Sequence, residues 1–141
     1  LTVRENLETG FNCLSKNSRV VPDEIFELFP ILKEMEDRRG GDLSGGQQQQ
    51  LAFGRALITC PKLLLLDEPT EGIQPNIIKQ IKSVIEYLRD QGTMGILLVE
   101  QYFDFAYGLA DQLVVLERGR VTLNGLKTNF SRDEILAKVT V

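Results

Sequence analysis

The 141-residue sequence predicts an α/β fold, with a mostly parallel sheet within residues 43–141 and a helical subdomain over residues 1–42. Two short apolar runs, residues 63–66 and 96–99, are typical of strands that are buried on both faces of a parallel sheet. Between them, apolar residues recur at helical spacing, so that strands and helices alternate along the chain. Local signals then place each element.

The helical subdomain is marked by capping residues and prolines. Thr2 and Glu5 have the spacing of a capping box, which predicts that a helix opens the chain. Pro22 suits the start of a second helix, and Pro30 should interrupt it because proline cannot donate a backbone hydrogen bond. A further short helix is therefore expected over residues 31–38.

The central elements follow from the same kind of signal. Ser44 and Gln47 repeat the capping-box spacing, so a helix should begin there and end before Pro61. After the first apolar run, Pro75 suits the first turn of a long amphipathic helix. Gly92 is suited to end that helix, because glycine readily adopts the left-handed conformation of a helix terminus.

The C-terminal part combines a short helix, a hairpin and a last helix. The short helix is expected over residues 103–110. Arg118 and Gly119 lie between two apolar runs, which predicts a β-hairpin. Ser131 and Glu134 are spaced to cap the last helix.

Composition excludes several classes of function. The net charge of −4 disfavours nucleic acid as a partner, since nucleic acid selects clustered Lys and Arg. The sequence has no histidine, which excludes histidine catalysis and histidine metal ligation. No apolar stretch is long enough for membrane insertion. Cys13 and Cys60 lack metal-ligand spacing, and we expect two buried or half-buried free thiols.

The segment Leu-Ser-Gly-Gly-Gln at residues 43–47 has the chemistry of an anion site. Gly45 and Gly46 leave the backbone bare, so that a bulky anion can approach it closely. Ser44 offers a hydroxyl group, and the helix that begins there directs free N–H groups and the positive end of its dipole outward. Such a site can bind the terminal phosphate of a nucleotide, although a simple helix cap has the same local pattern.

Two carboxylates, Asp67 and Glu68, end the apolar run of residues 63–66. Ligands of parallel sheets bind at the carboxyl ends of the strands. Asp67 is suited to hold Mg²⁺ through water, and Glu68 is suited to polarise an attacking water molecule as a general base. A solvated acidic turn is the alternative for this pair in isolation.

Together these motifs resemble the nucleotide-binding subunit of the ATP-binding cassette (ABC) transporters, a P-loop NTPase fold. Residues 43–47 resemble the family's signature motif, and residues 63–68 resemble Walker B with its catalytic glutamate. Residues 39–42, 71–75 and 98–106 are similar to the group that imports branched-chain amino acids, urea or amides, with the urea-type ATPase most similar.

The resemblance implies an ATPase that uses ATP and Mg²⁺ and works as two domains facing head to tail. Residues 44–47 would then contact a nucleotide bound by the second ATPase subunit. Asp67 would hold the metal, and Glu68 would act on the nucleotide of its own subunit. Gln101 stands where most members carry a histidine that contacts the γ-phosphate. Gln74 stands where the family carries an aspartate that crosses to the partner, and it is expected at the nucleotide site.

One family element does not occur in the chain, because the sequence contains no G-x-x-x-x-G-K-[ST] phosphate loop. By the resemblance it would precede Leu1, so the chain is expected to be a truncated domain. We therefore expect weak ATP binding by the isolated chain and leave its own catalytic activity open. By the same resemblance, the strand that precedes the phosphate loop would lie in the sheet beside the strand of residues 63–66. Without it, an apolar edge of the sheet should be exposed and drive self-association.

The expected function is that of an ATPase subunit, or a piece of one, in an importer. Its partners would be transmembrane permease subunits, and its location the inner face of a bacterial plasma membrane. A non-catalytic interaction module is one alternative. A chromosome-maintenance or DNA-repair ATPase is another, although that branch carries long heptad helices and none occurs here. Phe29, Pro30 and Ile31 are either permease contacts or core residues.

Overall fold

A computed structural model describes residues 1–15 and 19–139, and it confirms the α/β fold class. Within those residues, helices and strands alternate along most of the chain. In chain order the elements are α1 (Val3–Glu8), α2 (Asp23–Leu28), α3 (Pro30–Glu34), α4 (Gly45–Ile58), β1 (Leu63–Asp67), α5 (Pro75–Gln91), β2 (Gly95–Val99), α6 (Phe103–Leu109), β3 (Gln112–Glu117), β4 (Arg120–Leu126) and α7 (Arg132–Val139). Short 3₁₀ turns occur at Thr9–Cys13, Gly40–Asp42 and Lys127–Asn129.

The start of α1 confirms the predicted capping box. The Thr2 hydroxyl accepts from the Glu5 amide over 3.1 Å, and the Glu5 carboxylate accepts from the Thr2 amide over 2.8 Å. The third helix, predicted over residues 31–38, ends at Glu34 instead. The chain turns back there because the carbonyl of Arg38 accepts a hydrogen bond from the Val3 amide over 2.8 Å.

Helices α1, α2 and α3 pack against α4 around one apolar core. Phe29 is fully buried, with its ring centroid 6.0 Å from that of Phe53, so it belongs to the core. Ile31 is half-buried against the same core. Gly54 allows the close approach of α4, because a Cβ atom there would lie 2.9 Å from Leu7 Cδ2.

Strands β1 and β2 pair in parallel, from Leu63 opposite Gly95 to Asp67 opposite Val99. The prediction that both strands are buried on both faces is wrong. One face packs into the core, where Leu64 and Leu66 are buried. The opposite face is at least half exposed at Leu63, Leu65, Leu97 and Val99. Among the described residues, the core packs against only one face of this pair.

Helix α5 confirms the predicted amphipathic pattern. It buries Ile81, Val84, Ile85 and Leu88. Pro75 is in its first turn, and Gly92 ends it with a φ of +64°. The helix therefore occupies most of the chain between β1 and β2.

The hairpin β3–β4 is antiparallel, and its turn is formed by Arg118 and Gly119. Both residues have positive φ, +48° and +77°, as a type I′ turn requires. Helix α7 carries the third predicted capping box, between Ser131 and Glu134. It packs on both strands of the hairpin and buries Ile135.

Cys60 departs from the expectation of a buried or half-buried thiol, since it is free and exposed just after α4. The side chain of Cys13 lies outside the part that the structure describes. None of the helices within residues 1–15 and 19–139 has the length and apolar character needed to cross a bilayer.

Candidate functional site

The carboxyl end of β1 carries the two predicted acidic residues. Asp67 is the last residue of the strand and is exposed. Glu68 follows it, half-buried, with its backbone in the left-handed region at a φ of +43°. The prediction that both carboxylates lie at the tip of a strand is therefore confirmed.

Negative charge is concentrated around Glu68. Partial burial raises the pKa of the Glu68 carboxyl, and the nearby carboxylates of Glu71, Asp67 and Glu100 raise that pKa further. A carboxylate whose pKa is raised holds a proton more tightly, which suits a group that takes a proton from water. The local electrostatics therefore fit the general-base role expected for Glu68.

The end of β2 supplies the other polar groups of this region. Glu100 follows the strand, and its carboxylate accepts from the backbone amides of Gln101 over 2.8 Å and Tyr102 over 3.2 Å. It also accepts from the hydroxyl of Thr70, in the loop after β1. The side chain of Gln101 is exposed beside this network. Gln101 thus lies at the same end of the sheet as Glu68.

The start of α4 forms the predicted capping box in full. The Ser44 hydroxyl oxygen accepts from the Gln47 amide over 3.4 Å, and the Gln47 side-chain oxygen accepts from the Ser44 amide over 2.9 Å. Both side chains act here only as acceptors. The Ser44 hydroxyl hydrogen and the Gln47 amide hydrogens therefore remain as donors, without a hydrogen-bond partner among the described residues.

The two glycines of this motif have different surroundings. A Cβ atom at Gly45 would meet nothing within 4 Å, whereas one at Gly46 would lie 3.0 Å from Ile77 Cγ1. Gly45 therefore faces open space next to the free donors of Ser44 and Gln47. Ile77 is in the first turn of α5, and exposed Gln74 is the residue before that helix.

The predicted site residues therefore form two groups. Asp67, Glu68 and Gln101 lie together at the carboxyl ends of β1 and β2. Residues 44–47 form a separate group at the start of α4. No hydrogen bond or ion pair joins the two groups within residues 1–15 and 19–139.

Two residues of the site were missed by sequence reasoning. Thr70 and Glu100 bind each other, but 30 positions separate them in the chain. The only local signal for Glu100 is a charged residue directly after an apolar strand, and Thr70 gives none.

Asp67 is the residue whose carboxylate would hold a magnesium ion shared with a nucleotide. No cluster of three or more side chains suited to a dedicated metal site occurs among the described residues. Mg²⁺ does not need one, because it commonly takes one or two carboxylates and completes its shell with water and substrate phosphates. An exposed aspartate at a strand tip meets that requirement.

Comparison with known proteins agrees with this geometry. The ABC transporter family pattern matches residues 1–71. The chain is 50% identical over 125 residues to the high-affinity branched-chain amino acid transport ATP-binding protein BraG of Pseudomonas aeruginosa, covering 88% of this chain and 53% of BraG. It is 37% identical over 142 residues to the probable branched-chain amino acid transport ATP-binding protein LivF of Archaeoglobus fulgidus, covering 99% and 59%.

Relatives outside amino acid transport are similar as well. The molybdenum import ATP-binding protein ModC 1 of Azotobacter vinelandii is 37% identical over 140 residues, covering 99% of this chain and 37% of ModC 1. Among solved structures, the ADP conformation of an ATP-binding cassette of an ABC transporter superposes with a TM-score of 0.79 at 26% identity. That match covers 99% of this chain and 62% of the other.

The chain thus spans a little over half the length of the branched-chain amino acid relatives that it matches. The sequence motifs, the fold and the comparisons agree on one family. The chain belongs to the ABC transporter family, in which it corresponds to part of the ATP-binding subunit.

Proposed function

We propose that the chain is part of a subunit that binds and hydrolyses ATP to drive import of branched-chain amino acids, or of urea or amides. The observation that carries this proposal is the position of Asp67 and Glu68 at the tip of β1, with the pKa of Glu68 raised. The similarity to BraG and LivF supports the amino acid branch.

In this proposal the two groups of site residues serve two different nucleotides. Asp67 holds Mg²⁺ through water, Glu68 takes a proton from the attacking water, and Gln101 donates a hydrogen bond to the γ-phosphate. Ser44, Gly45, Gly46 and Gln47 contact the nucleotide of a second subunit. The donors that the capping box leaves free support this role, because phosphate oxygens only accept hydrogen bonds.

Gln74 precedes α5 and faces solvent, where it is available to the second subunit. Permease subunits complete the assembly, which places the chain on the inner face of a bacterial plasma membrane. The helical subdomain of residues 1–42 is the surface that we assign to the permease, leaving residues 43–141 for the ATPase core.

The catalytic part is tested by ATP turnover of the gene product that carries this sequence. Glu68→Gln keeps the size of the side chain but removes the base, so turnover should fall by about 100-fold or more. The matched control Asp133→Asn changes an exposed carboxylate of α7 and should leave turnover unchanged. Full turnover in Glu68→Gln would contradict the proposal.

We propose a second candidate function for the 141-residue chain on its own. The sequence contains no phosphate loop, which favours a non-catalytic module that docks on a permease or on another ATPase. If this chain alone hydrolyses ATP and Glu68→Gln abolishes that turnover, the non-catalytic module is excluded. If the chain binds a permease but shows no turnover, the module is supported.

The transported solute needs its own measurement, since ModC 1 is as similar as LivF. Uptake of labelled leucine, urea and molybdate should be compared in cells with and without the gene. Loss of leucine or urea uptake supports the proposal, and loss of molybdate uptake alone overturns the assignment of the solute. The DNA-repair alternative predicts DNA binding at physiological salt, which we do not expect at a net charge of −4.

A further inference from the structure

Glu100 joins two loops that lie 30 positions apart in the chain. One carboxylate oxygen accepts from the backbone amides of Gln101 and Tyr102, at 2.8 Å and 3.2 Å. The other oxygen accepts from the hydroxyl of Thr70. A single side chain therefore connects the turn after β2 to the loop after β1.

Two hydrogen bonds join the loop after β1 to the end of β2, namely this contact and one backbone bond. Thr70 is only 8% exposed, so its hydroxyl has little access to solvent. The amide of Glu68 donates to the carbonyl of Val99 over 2.8 Å. The two bonds flank Pro69, which is itself buried, and together they fix the chain that carries the Glu68 side chain.

The turn after β2 is fixed at the same point. The amides of Gln101 and Tyr102 precede α6, and Tyr102 is the residue before its first turn. The Glu100 carboxylate therefore holds the backbone amides of this turn at the end of the strand. Both oxygens of Glu100 are engaged by donors of the chain itself.

We propose that Glu100 is a positioning residue for ATP hydrolysis, which holds Glu68 and Gln101 in a fixed relation through Thr70 and the amides of residues 101 and 102. This inference rests on the function proposed above. It adds a role to two residues, Glu100 and Thr70, that touch neither nucleotide nor metal in that function.

The test compares turnover of the gene product in variants of both partners. Glu100→Ala and Thr70→Val each remove the bond, so kcat should fall between about 10-fold and 100-fold while KM for ATP changes little. Glu100→Gln should restore most of kcat, because its amide can direct its oxygen to the two backbone amides and its NH₂ group to the Thr70 hydroxyl. Thr70→Ser, which keeps the hydroxyl, should also remain active.

The double variant Glu100→Ala with Thr70→Val should be no slower than the slower single variant, since both changes break the same link. Asp133→Ala on α7 is the control for loss of an exposed carboxylate outside both the site and the permease surface. The proposal is overturned if Glu100→Ala retains its kcat, if Glu100→Gln is as slow as Glu100→Ala, or if the two single effects multiply.

A second measurement separates this inference from the proposed function. In the 141-residue chain, the amide hydrogens of Gln101 and Tyr102 should exchange with solvent faster in Glu100→Ala than in Glu100→Gln. Equal exchange rates overturn the link whether or not the protein hydrolyses ATP. A different combination of results is also informative. If the exchange rates differ but turnover is insensitive to Glu68→Gln, the proposed function and the role of Glu100 in hydrolysis are overturned, while the link between the two loops is established.

Discussion

The backbone amide of Glu68 donates a hydrogen bond to the carbonyl oxygen of Val99 over 2.8 Å. The bond extends the pairing of β1 and β2 one residue beyond Asp67, while Glu68 has a φ of +43°. Residues with a Cβ atom disfavour this left-handed conformation, so the backbone is strained at the tip of the strand. The strain coincides with the side chain to which we assign proton transfer.

Strain at Glu68 predicts an unusual order of stabilities. Glu68→Gly should unfold with a free energy about 1 kcal/mol higher than Glu68→Ala, because glycine adopts positive φ without strain. Urea unfolding monitored by circular dichroism measures the difference. The control pair Glu27→Gly and Glu27→Ala, at an exposed position of α2, should show the reverse order. Equal stabilities at residue 68 would contradict the strain.

The glycines at the start of α4 allow structure and function to be separated. Gly45→Ala adds a methyl group in open space, so stability should be unchanged or raised by up to about 1 kcal/mol, while ATP turnover falls because the methyl group faces the site. Gly46→Ala should lower stability by about 1 kcal/mol through its contact with Ile77. Thermal unfolding and turnover are measured on the same samples. Full turnover in Gly45→Ala would contradict close approach of a phosphate.

The exposed face of β1 and β2 predicts self-association of the isolated chain. Leu65 and Leu97 are opposite each other in register and are 65% and 54% exposed, so their burial between copies is favourable. Light scattering with size-exclusion chromatography at tens of micromolar should give a mass above 15.9 kDa. Leu65→Lys with Leu97→Lys should lower the mass, whereas Val20→Lys, exposed outside the sheet, should not. A monomeric parent chain would rule out this prediction.

The capping box of α7 predicts a dependence of stability on pH. The Ser131 backbone amide donates to the Glu134 carboxylate over 2.7 Å, which lowers the pKa of Glu134 from its usual 4.5. A lowered pKa means that the stabilisation is present above the unfolded pKa and is lost as pH falls through the folded pKa. Carbon-detected NMR titration should therefore place the Glu134 midpoint below 4.5. Ser131→Ala, which removes only the hydroxyl contact, should raise that midpoint part of the way, and an unchanged midpoint would show that the hydroxyl contributes nothing.

Elements fixed by local chemistry were predictable from the sequence. The three capping boxes, the left-handed end of α5 at Gly92 and the turn at Gly119 all follow from residue types at short spacing. The position of Asp67 and Glu68 at a strand tip was predictable for the same reason, since an apolar run that ends in carboxylates leaves little choice of register.

Features that depend on distant contacts were not predictable. The apolar run of β1 does not reveal what packs on each face, and the structure leaves Leu65 exposed. Cys60 is exposed because it follows the end of α4, where the chain turns with a positive φ. The bond between Thr70 and Glu100 depends on the pairing of β1 with β2, which no local spacing encodes.

Gly46 presents no side chain to Ile77, and even a methyl group would lie 3.0 Å from the Ile77 Cγ1 atom. The start of α4 and the first turn of α5 are therefore in close contact at this point. An alanine at position 46 requires the Ile77 side chain to move by a few tenths of an ångström, so a smaller residue at position 77 would make room for it.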